Sequence, residues 1–383
     1  MHVTQLRLLN FRIYQQAALD LLPGVNLIVG ENGSGKTSLL EAVATVALTR
    51  SPRTGTVAEC ASFQAVDMGI SLSTRSADSA SVLEFRAQRQ PDSGRWLRTI
   101  KENGSQVVPR HILGRLGVVI FWPEDLAMVK GGPEPRRRML DVALSQLYPA
   151  YAEAAVKCRR AVEQRNTVLR RVRDGLDSWD ALEPWDRALA MHGGAVMSLR
   201  RQYLQDALPA VREAVAGIGE TGEVEIIYRP GVRDLTGDDL KHGIVDSISR
   251  VRPEEIARGQ SIVGPQRDDF DISLGGQPAR QFASQGQQRT LVLALKVAEV
   301  RSHLRILGRS PLVMLDDVLS ELDLRHREGL VAQLARDLKV EQTLITTTEP
   351  GGVSEQLGLA KTLVVNSGKI SEVSPEGGFA WRG

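Results

Sequence analysis

Hydrophobic positions along this chain change period several times, and each change predicts a different element. Val25-Asn26-Leu27-Ile28-Val29 is an apolar run without regular alternation, the pattern of a buried strand. Residues 38–44 then read as the start of a helix, so 1–48 predicts strand, turn, strand, loop and helix. Residues 64–121 carry short β-prone runs at 82–85 and 96–100, a hairpin signal at Asn103-Gly104 and a further strand at 117–121. They predict an antiparallel sheet joined to the first segment.

From 135 to 216 the spacing becomes helical. Leu140, Leu144, Leu147, Tyr151, Ala155, Cys158, Val162 and Leu169 fall mostly at steps of three and four, and so do Leu182, Trp185, Leu189, His192, Val196, Leu199 and Tyr203. Asp174-Gly175 separates the two sets, which predicts an antiparallel pair of long helices, with Pro149 and Pro184 at kinks or helix starts. The repeat is too short for a long coiled-coil arm. His192, Trp179 and Trp185 read as packing residues. A strand at 224–228 and an amphipathic helix from near Asp238 follow. From about 260 strand and helix alternate again: a loop entering a helix at 281–303, a buried strand at 311–315, a helix at 325–338, and strands at 342–347 and 361–365. Residues 374–383 read as a loose tail.

A chain of 383 residues is long enough for a large core and two lobes. A net charge of only +2 means that any basic surface is local. Cys60 and Cys158 have no metal-binding spacing, which argues against a disulfide framework or a zinc site. The first residues lack the apolar core of a signal peptide and no stretch reaches membrane-spanning length, so a cytoplasmic location is expected.

Between the first buried strand and its helix lies Gly30-Glu31-Asn32-Gly33-Ser34-Gly35-Lys36-Thr37, which fits the phosphate-loop pattern G-x-x-x-x-G-K-[ST]. Glycines let backbone N–H groups turn inward around a phosphate, and the helix N-terminus beginning near Ser38 adds donors and partial positive charge. Lys36 is placed to reach the β- and γ-phosphates of ATP, and Thr37 to offer its hydroxyl to Mg²⁺. A glycine-rich turn that binds nothing is the plain alternative. In the second half, Leu312-Val313-Met314-Leu315-Asp316-Asp317 is a buried strand ending in two acids. Asp316 is the expected Mg²⁺ partner, and Asp317, with Lys36, the expected catalytic residue, placed to orient or deprotonate the attacking water.

Ser284-Gln285-Gly286-Gln287 opens a predicted helix and is a second anion-binding arrangement, although an ordinary helix cap has the same composition. One ATP does not need two such sites in one chain. In ABC-type ATPases the second belongs to the partner subunit. Ser320 and Asp323 then have the spacing of the loop that links the two ATP sites of such a dimer.

Taken together with Leu8-Leu9-Asn10-Phe11-Arg12-Ile13-Tyr14, Pro123-Glu124-Asp125-Leu126, Lys130-Gly131-Gly132-Pro133, Arg136-Arg137 and Gly264-Pro265-Gln266-Arg267-Asp268-Asp269, these motifs resemble the RecF family, in the SMC-like branch of ABC ATPases. The resemblance implies an α/β fold: an ABC-type P-loop ATPase head with an antiparallel β subdomain, plus a mainly helical second lobe with a short antiparallel helix pair. It assigns 1–125 and 260–372 to the head (β subdomain about 50–121), 126–259 to the helical lobe II insert and 373–383 to a flexible tail. It also implies an ATP-dependent homodimer with weak DNA-stimulated ATPase activity, binding DNA at gaps or single-strand/double-strand junctions. Its partners would be RecR and RecO, with RecA loading and the SOS response downstream. Arg12 would face the nucleotide phosphates, and Thr347 would take the place of a switch histidine. A non-catalytic ATP-bound clamp on DNA is the alternative.

The even global charge hides a local excess. Residues 130–173 hold eleven Lys/Arg against four Asp/Glu, among them Arg136, Arg137, Arg138, Arg159 and Arg160. Such a strip either tracks a phosphate backbone or is a solvated helix face, and Arg136-Arg137-Arg138 could instead pair with acids of the same chain. Aromatic residues are only 4% of the chain, which favours backbone contacts over base stacking.

Overall fold

In the computed structural model, which describes residues 1–232, 240–334, 338–348 and 359–373, apolar runs sort into different sheets according to whether they alternate. The chain starts with β1 (His2–Phe11), β2 (Tyr14–Asp20), β3 (Gly24–Val29) and α1 (Lys36–Ala47), and continues with β4 (Asp67–Arg75), β5 (Ala80–Arg89), β6 (Trp96–Glu102), β7 (Ser105–Gln106) and β8 (Val118–Phe121). The alternating strands form an antiparallel sheet in the order β2-β1-β4-β5-β6-β7. Leu6 and Leu8 of β1, Ile70 and Leu72 of β4, and Leu83 and Phe85 of β5 are buried, while Arg7, Leu9 and Arg86 between them are exposed. One face is therefore core and the other solvated. Contrary to expectation, β1 and β2 belong to this sheet rather than to the nucleotide core, and β8 does not. All four residues of β8 are buried, so it needs cover on both faces.

The described residues fall into two units: Met1–Asp125, Glu213–Glu220 and Leu293–Gly383 in the first, Leu126–Arg212 and Thr221–Val292 in the second. In the second, α2 (Pro133–Leu147), α3 (Pro149–Arg173) and α4 (Glu183–Ile218, its last residues from Glu213 counted in the first unit) are followed by β9 (Val224–Arg229), α5 (Leu240–Arg258), β10 (Asp269–Leu274) and β11 (Gln277–Pro278). Pro149 and Pro184 stand at helix starts, where a missing N–H costs nothing. Gly175, at φ 72°, turns the chain from α3 toward α4. Arg165 late in α3 pairs with Asp186 early in α4, and Tyr151 early in α3 meets Arg200 midway along α4, so the two run antiparallel. Trp179 is 58% exposed, set against the Arg252 guanidinium rather than packed between the helices. His192 is half-buried, not a core residue. The expected helix start near Asp238 and the tail from 374 lie outside the described residues.

Residues 260–292 were expected in the head, but they cluster with the second unit. The physical reason is strand pairing: β10 runs antiparallel to β9 from Asp269 opposite Arg229 to Leu274 opposite Val224.

The chain then passes through α6 (Gln285–Leu307), β12 (Leu312–Asp316), α7 (Leu324–Ala332), β13 (Gln342–Thr347), β14 (Leu359–Asn366) and β15 (Lys369–Val373). In the first unit a mixed sheet has the order β15-β14-β3-β13-β12-β8, parallel except for β15. α1 packs against β4 and β5 of one sheet and β12 and β13 of the other. That position explains its burial on all sides, from Leu39 and Leu40 to Val46 and Ala47. Each such aliphatic side chain contributes roughly 1.5–3 kcal/mol. Among the described residues no helix is long and apolar enough to cross a membrane.

Candidate nucleotide site

The end of β3, the loop 30–37 and α1 follow one another with no spare residue. Gly30 has no room for a side chain: a Cβ there would lie 2.3 Å from the Val365 carbonyl oxygen and 2.7 Å from Ser34 Oγ. Gly33 and Gly35 have φ of 78° and 113°, the region that favours glycine. Glu31, Asn32 and Gly33 are exposed at the rim, Ser34 is buried with its hydroxyl unpartnered, and Ser38 is half-buried at the helix start. Lys36 folds back across the loop, its Nζ donating to the carbonyls of Gly30 at 2.8 Å and Glu31 at 3.0 Å. Burial pulls the Lys36 pKa down, while Asp317 and Asp316 oppose that pull.

Asp316 ends β12 next to this loop. Its carboxylate accepts the Thr37 hydroxyl (3.0 and 2.9 Å to Oδ1 and Oδ2) and the Thr346 hydroxyl at 2.7 Å. Burial raises the Asp316 pKa, the two hydroxyls lower it, the Asp317 charge raises it and Arg53 lowers it. The donor set fits Mg²⁺: a hydroxyl and a carboxylate are hard oxygens, and this ion keeps waters and phosphate oxygens for its remaining positions. Among the described residues no group of three or more His, Cys, Asp or Glu gathers to hold a metal unaided.

Asp317 adopts φ 56°, a left-handed conformation. Its N–H donates to Thr346 Oγ1 at 3.0 Å and to the Thr346 carbonyl at 3.2 Å, and Ser320 Oγ donates to its carbonyl at 2.6 Å. The Thr346 hydroxyl thus lies between the Asp316 carboxylate and the Asp317 N–H. Thr347 ends β13 beside Val29, and its carbonyl accepts the Gly30 N–H. Asp323 caps α7, accepting the His326 N–H at 3.0 Å.

Three of the five Arg12 N–H groups are committed within the chain. Its Nε and Nη2 bind both oxygens of the fully buried Glu41, at 2.9 and 2.6 Å, and Nη1 donates to the Glu59 carbonyl. Glu41 also accepts the Ser51 hydroxyl and lies 3.6 Å from Arg53. Arg53 and Thr346 are site residues that the motifs do not reveal.

In the second unit, Ser284 is the N-cap of α6. Its Oγ accepts the Gln287 N–H at 3.2 Å, and Gln287 Oε1 accepts the Ser284 N–H at 2.9 Å, a reciprocal capping box. Ser284, Gln285 and Gly286 are exposed. The helix-cap reading is therefore realised within one chain.

Residues 2–371 match the family model described as RecF/RecN/SMC N terminal domain. The chain belongs to this family. It is 38% identical over 349 residues to the DNA replication and repair protein RecF of Moorella thermoacetica, covering 91% of this chain and 90% of the relative. To the protein of the same name from Heliobacterium modesticaldum it is 36% identical over 380 residues, covering 97% and 99%. Among solved structures it is similar to the recombination mediator protein RecF-ATP in the RecFOR pathway, with a TM-score of 0.86 at 28% identity over 97% of each chain. A likeness to an Smc head bound to the C-winged helix domain of ScpA (TM-score 0.57, 16% identity, 98% of each chain) agrees with an ABC ATPase head fold.

The basic strip of this family member is partly internal. Arg136 is 5% exposed and forked onto Asp269 at 2.5 and 2.9 Å, with Nη1 donating to the carbonyls of Met128 and Gly131. It is a structural arginine, not a surface contact for DNA. Arg137 is half-buried and donates to the Asp268 carbonyl. Arg165 is fully buried between Asp186 and Glu255. Arg138, Arg159 and Arg160 remain exposed.

Proposed function

We propose that this chain is an ATP-binding DNA repair protein whose two copies are joined by nucleotide, acting in the cytoplasm in recombinational gap repair and replication restart. The observation that carries the reading is the contact between Thr37 and Asp316, 279 residues apart, which sets a phosphate loop and a buried carboxylate at one point. ATP would lie along 30–38, Thr37 and Asp316 would hold Mg²⁺, and Asp317 would meet the attacking water. When bound, the metal would supply charge neutralisation at the phosphates, and Asp317 would take the proton of the water. Ser284–Gln287 of a second copy then closes over the γ-phosphate, with Ser320 and Asp323 lining the contact. Hydrolysis removes that phosphate and loosens the pair, so slow turnover times the release of DNA. The names of the relatives, a DNA replication and repair protein and a mediator in the RecFOR pathway, support DNA as the target and RecR and RecO as protein partners, and RecA loading and the SOS response complete the reading downstream.

Light-scattering mass with ATP, with ADP and without nucleotide tests the dimer: ATP alone is expected to double it, and one monomeric mass throughout overturns the switch. Ser284→Arg is expected to leave ATP binding within about twofold and to abolish the ATP-dependent doubling. It also removes a helix cap, about 1 kcal/mol, so a melting curve accompanies the mass. For DNA, reversing Arg138, Arg159 and Arg160 together is expected to weaken binding and to flatten the slope of log affinity against log salt by about 2–3. An unchanged slope moves the DNA surface elsewhere.

A further inference from the structure

The turn between β1 and β2 is fastened to α1 at two levels. Arg12 grips Glu41 in the helix body, and two residues later Tyr14 Oη donates to the Gly35 carbonyl at 3.0 Å. The Tyr14 ring is buried, 1% exposed. The approach is close: a Cβ on Gly35 would lie 2.6 Å from the Tyr14 hydroxyl and 2.7 Å from Ile13 Cδ1. On the other side, the turn between β14 and β15 brings the Gly368 N–H to the Ser34 carbonyl at 3.2 Å. Two successive carbonyls of the loop are therefore held from outside it.

Peptide units are planar and trans, so each carbonyl is opposed by the N–H of the next residue in the same plane. Holding the Ser34 carbonyl aims the Gly35 N–H, and holding the Gly35 carbonyl aims the Lys36 N–H. Those two N–H groups are among the donors a phosphate in the loop would take. We propose that the Tyr14 hydroxyl is a positioning group: it fixes the Gly35–Lys36 peptide so that the Lys36 N–H already faces the phosphate cradle before nucleotide arrives. This rests on the nucleotide reading above. Pre-organisation of this kind acts on binding, because the orientation is the same in ground state and transition state.

Tyr14→Phe removes the hydroxyl and keeps the ring. The Gly35 carbonyl retains the N–H groups of Ser38 at 3.0 Å and Leu39 at 3.3 Å, so it is not orphaned. Titration of the full chain with fluorescent ATP and ADP in Mg²⁺ is expected to give Kd values roughly three- to tenfold above wild type for both. KM rises by the same factor, kcat at saturating ATP stays at the wild-type value, and the melting temperature without nucleotide is unchanged. The rise in melting temperature on adding ATP shrinks. Wild-type Kd values for the variant, or a loss confined to kcat or to nucleotide-free stability, overturn the positioning role. A wild-type chain that binds neither nucleotide overturns the nucleotide reading itself, and the inference with it.

Discussion

Arg200→Met is expected to cost the second unit about 3–5 kcal/mol, the largest loss from any single surface-neutral change in it. Arg200 is 4% exposed. Its guanidinium donates to Asp141 at 2.7 Å, to Asp268 at 2.6 Å, to the Pro265 carbonyl at 2.7 Å and to Tyr151 Oη at 3.0 Å. Asp268 has no exposed side-chain surface and also accepts the hydroxyl of Tyr228 and the N–H of Gly231. Burial pushes the Asp268 pKa up and Arg200 opposes that push. Without the arginine a desolvated carboxylate loses its counter-charge, and its pKa rises further. The sign of the pH dependence follows. A folded-state pKa above the unfolded value favours the folded state at low pH, and that advantage is lost as pH rises through the raised pKa. The deficit of Arg200→Met should therefore be smaller in acid than in neutral buffer, measured by denaturant unfolding at both. Adding Asp268→Asn should restore much of the loss, since the amide needs no counter-charge. A single-variant cost below about 1 kcal/mol would show that water reaches the network.

Arg136, Arg165 and Arg200 share a pattern that the charge count concealed. In α3 the buried positions are Tyr151, Ala154, Cys158, Ala161, Arg165 and Leu169, a stripe at steps of three and four with an arginine within it. Arg136 stands in the same relation to Leu140, Ala143 and Leu147 in α2. A seam drawn through Ala155 and Val162 is displaced by one residue and leaves Arg165 outside. Periodicity was thus enough to show which arginines turn inward, but only once position on the stripe outranks charge. Local runs alone do not identify their partner strand. Val118 to Phe121 reads as a strand from composition, and its unbroken apolar character was the available sign of a doubly covered, parallel position. Pairing of β10 with β9 depends on residues about forty positions apart, which no local pattern encodes.

The nucleotide site was legible where its chemistry is local. The loop 30–37 and the acid pair carry their geometry in adjacent residues, and the Thr37–Asp316 contact joins them. Less legible were groups that act across the fold: Thr346 on Asp316, Tyr14 behind the loop, and Glu41 forked onto Arg12. For Thr346 the reason is strand parity. Neighbours on β13 point to opposite faces, so a one-residue choice decides which hydroxyl meets the acids.

That geometry makes Asp317→Asn the sharper test of chemistry. It is expected to lower ATP turnover by about 10²–10⁴-fold while leaving ATP affinity near wild type. The substitution is nearly isosteric, and asparagine tolerates the left-handed φ of 56° at this position at least as well as aspartate. The backbone bond from residue 317 to Thr346 is unaffected, and an amide oxygen can still meet the Ser320 hydroxyl, 3.4 Å from Asp317 Oδ1. What disappears is the capacity to accept a proton from water. Lys36→Met should behave in the opposite way. Its ammonium spans Gly30 and Glu31 at the loop, so its loss should abolish binding and turnover together. ATP titration and phosphate release on the two variants separate the roles. If Asp317→Asn hydrolyses ATP at the wild-type rate, the proton goes elsewhere. Asp316, whose carboxylate accepts the Thr37 and Thr346 hydroxyls, would then be the next acceptor to test.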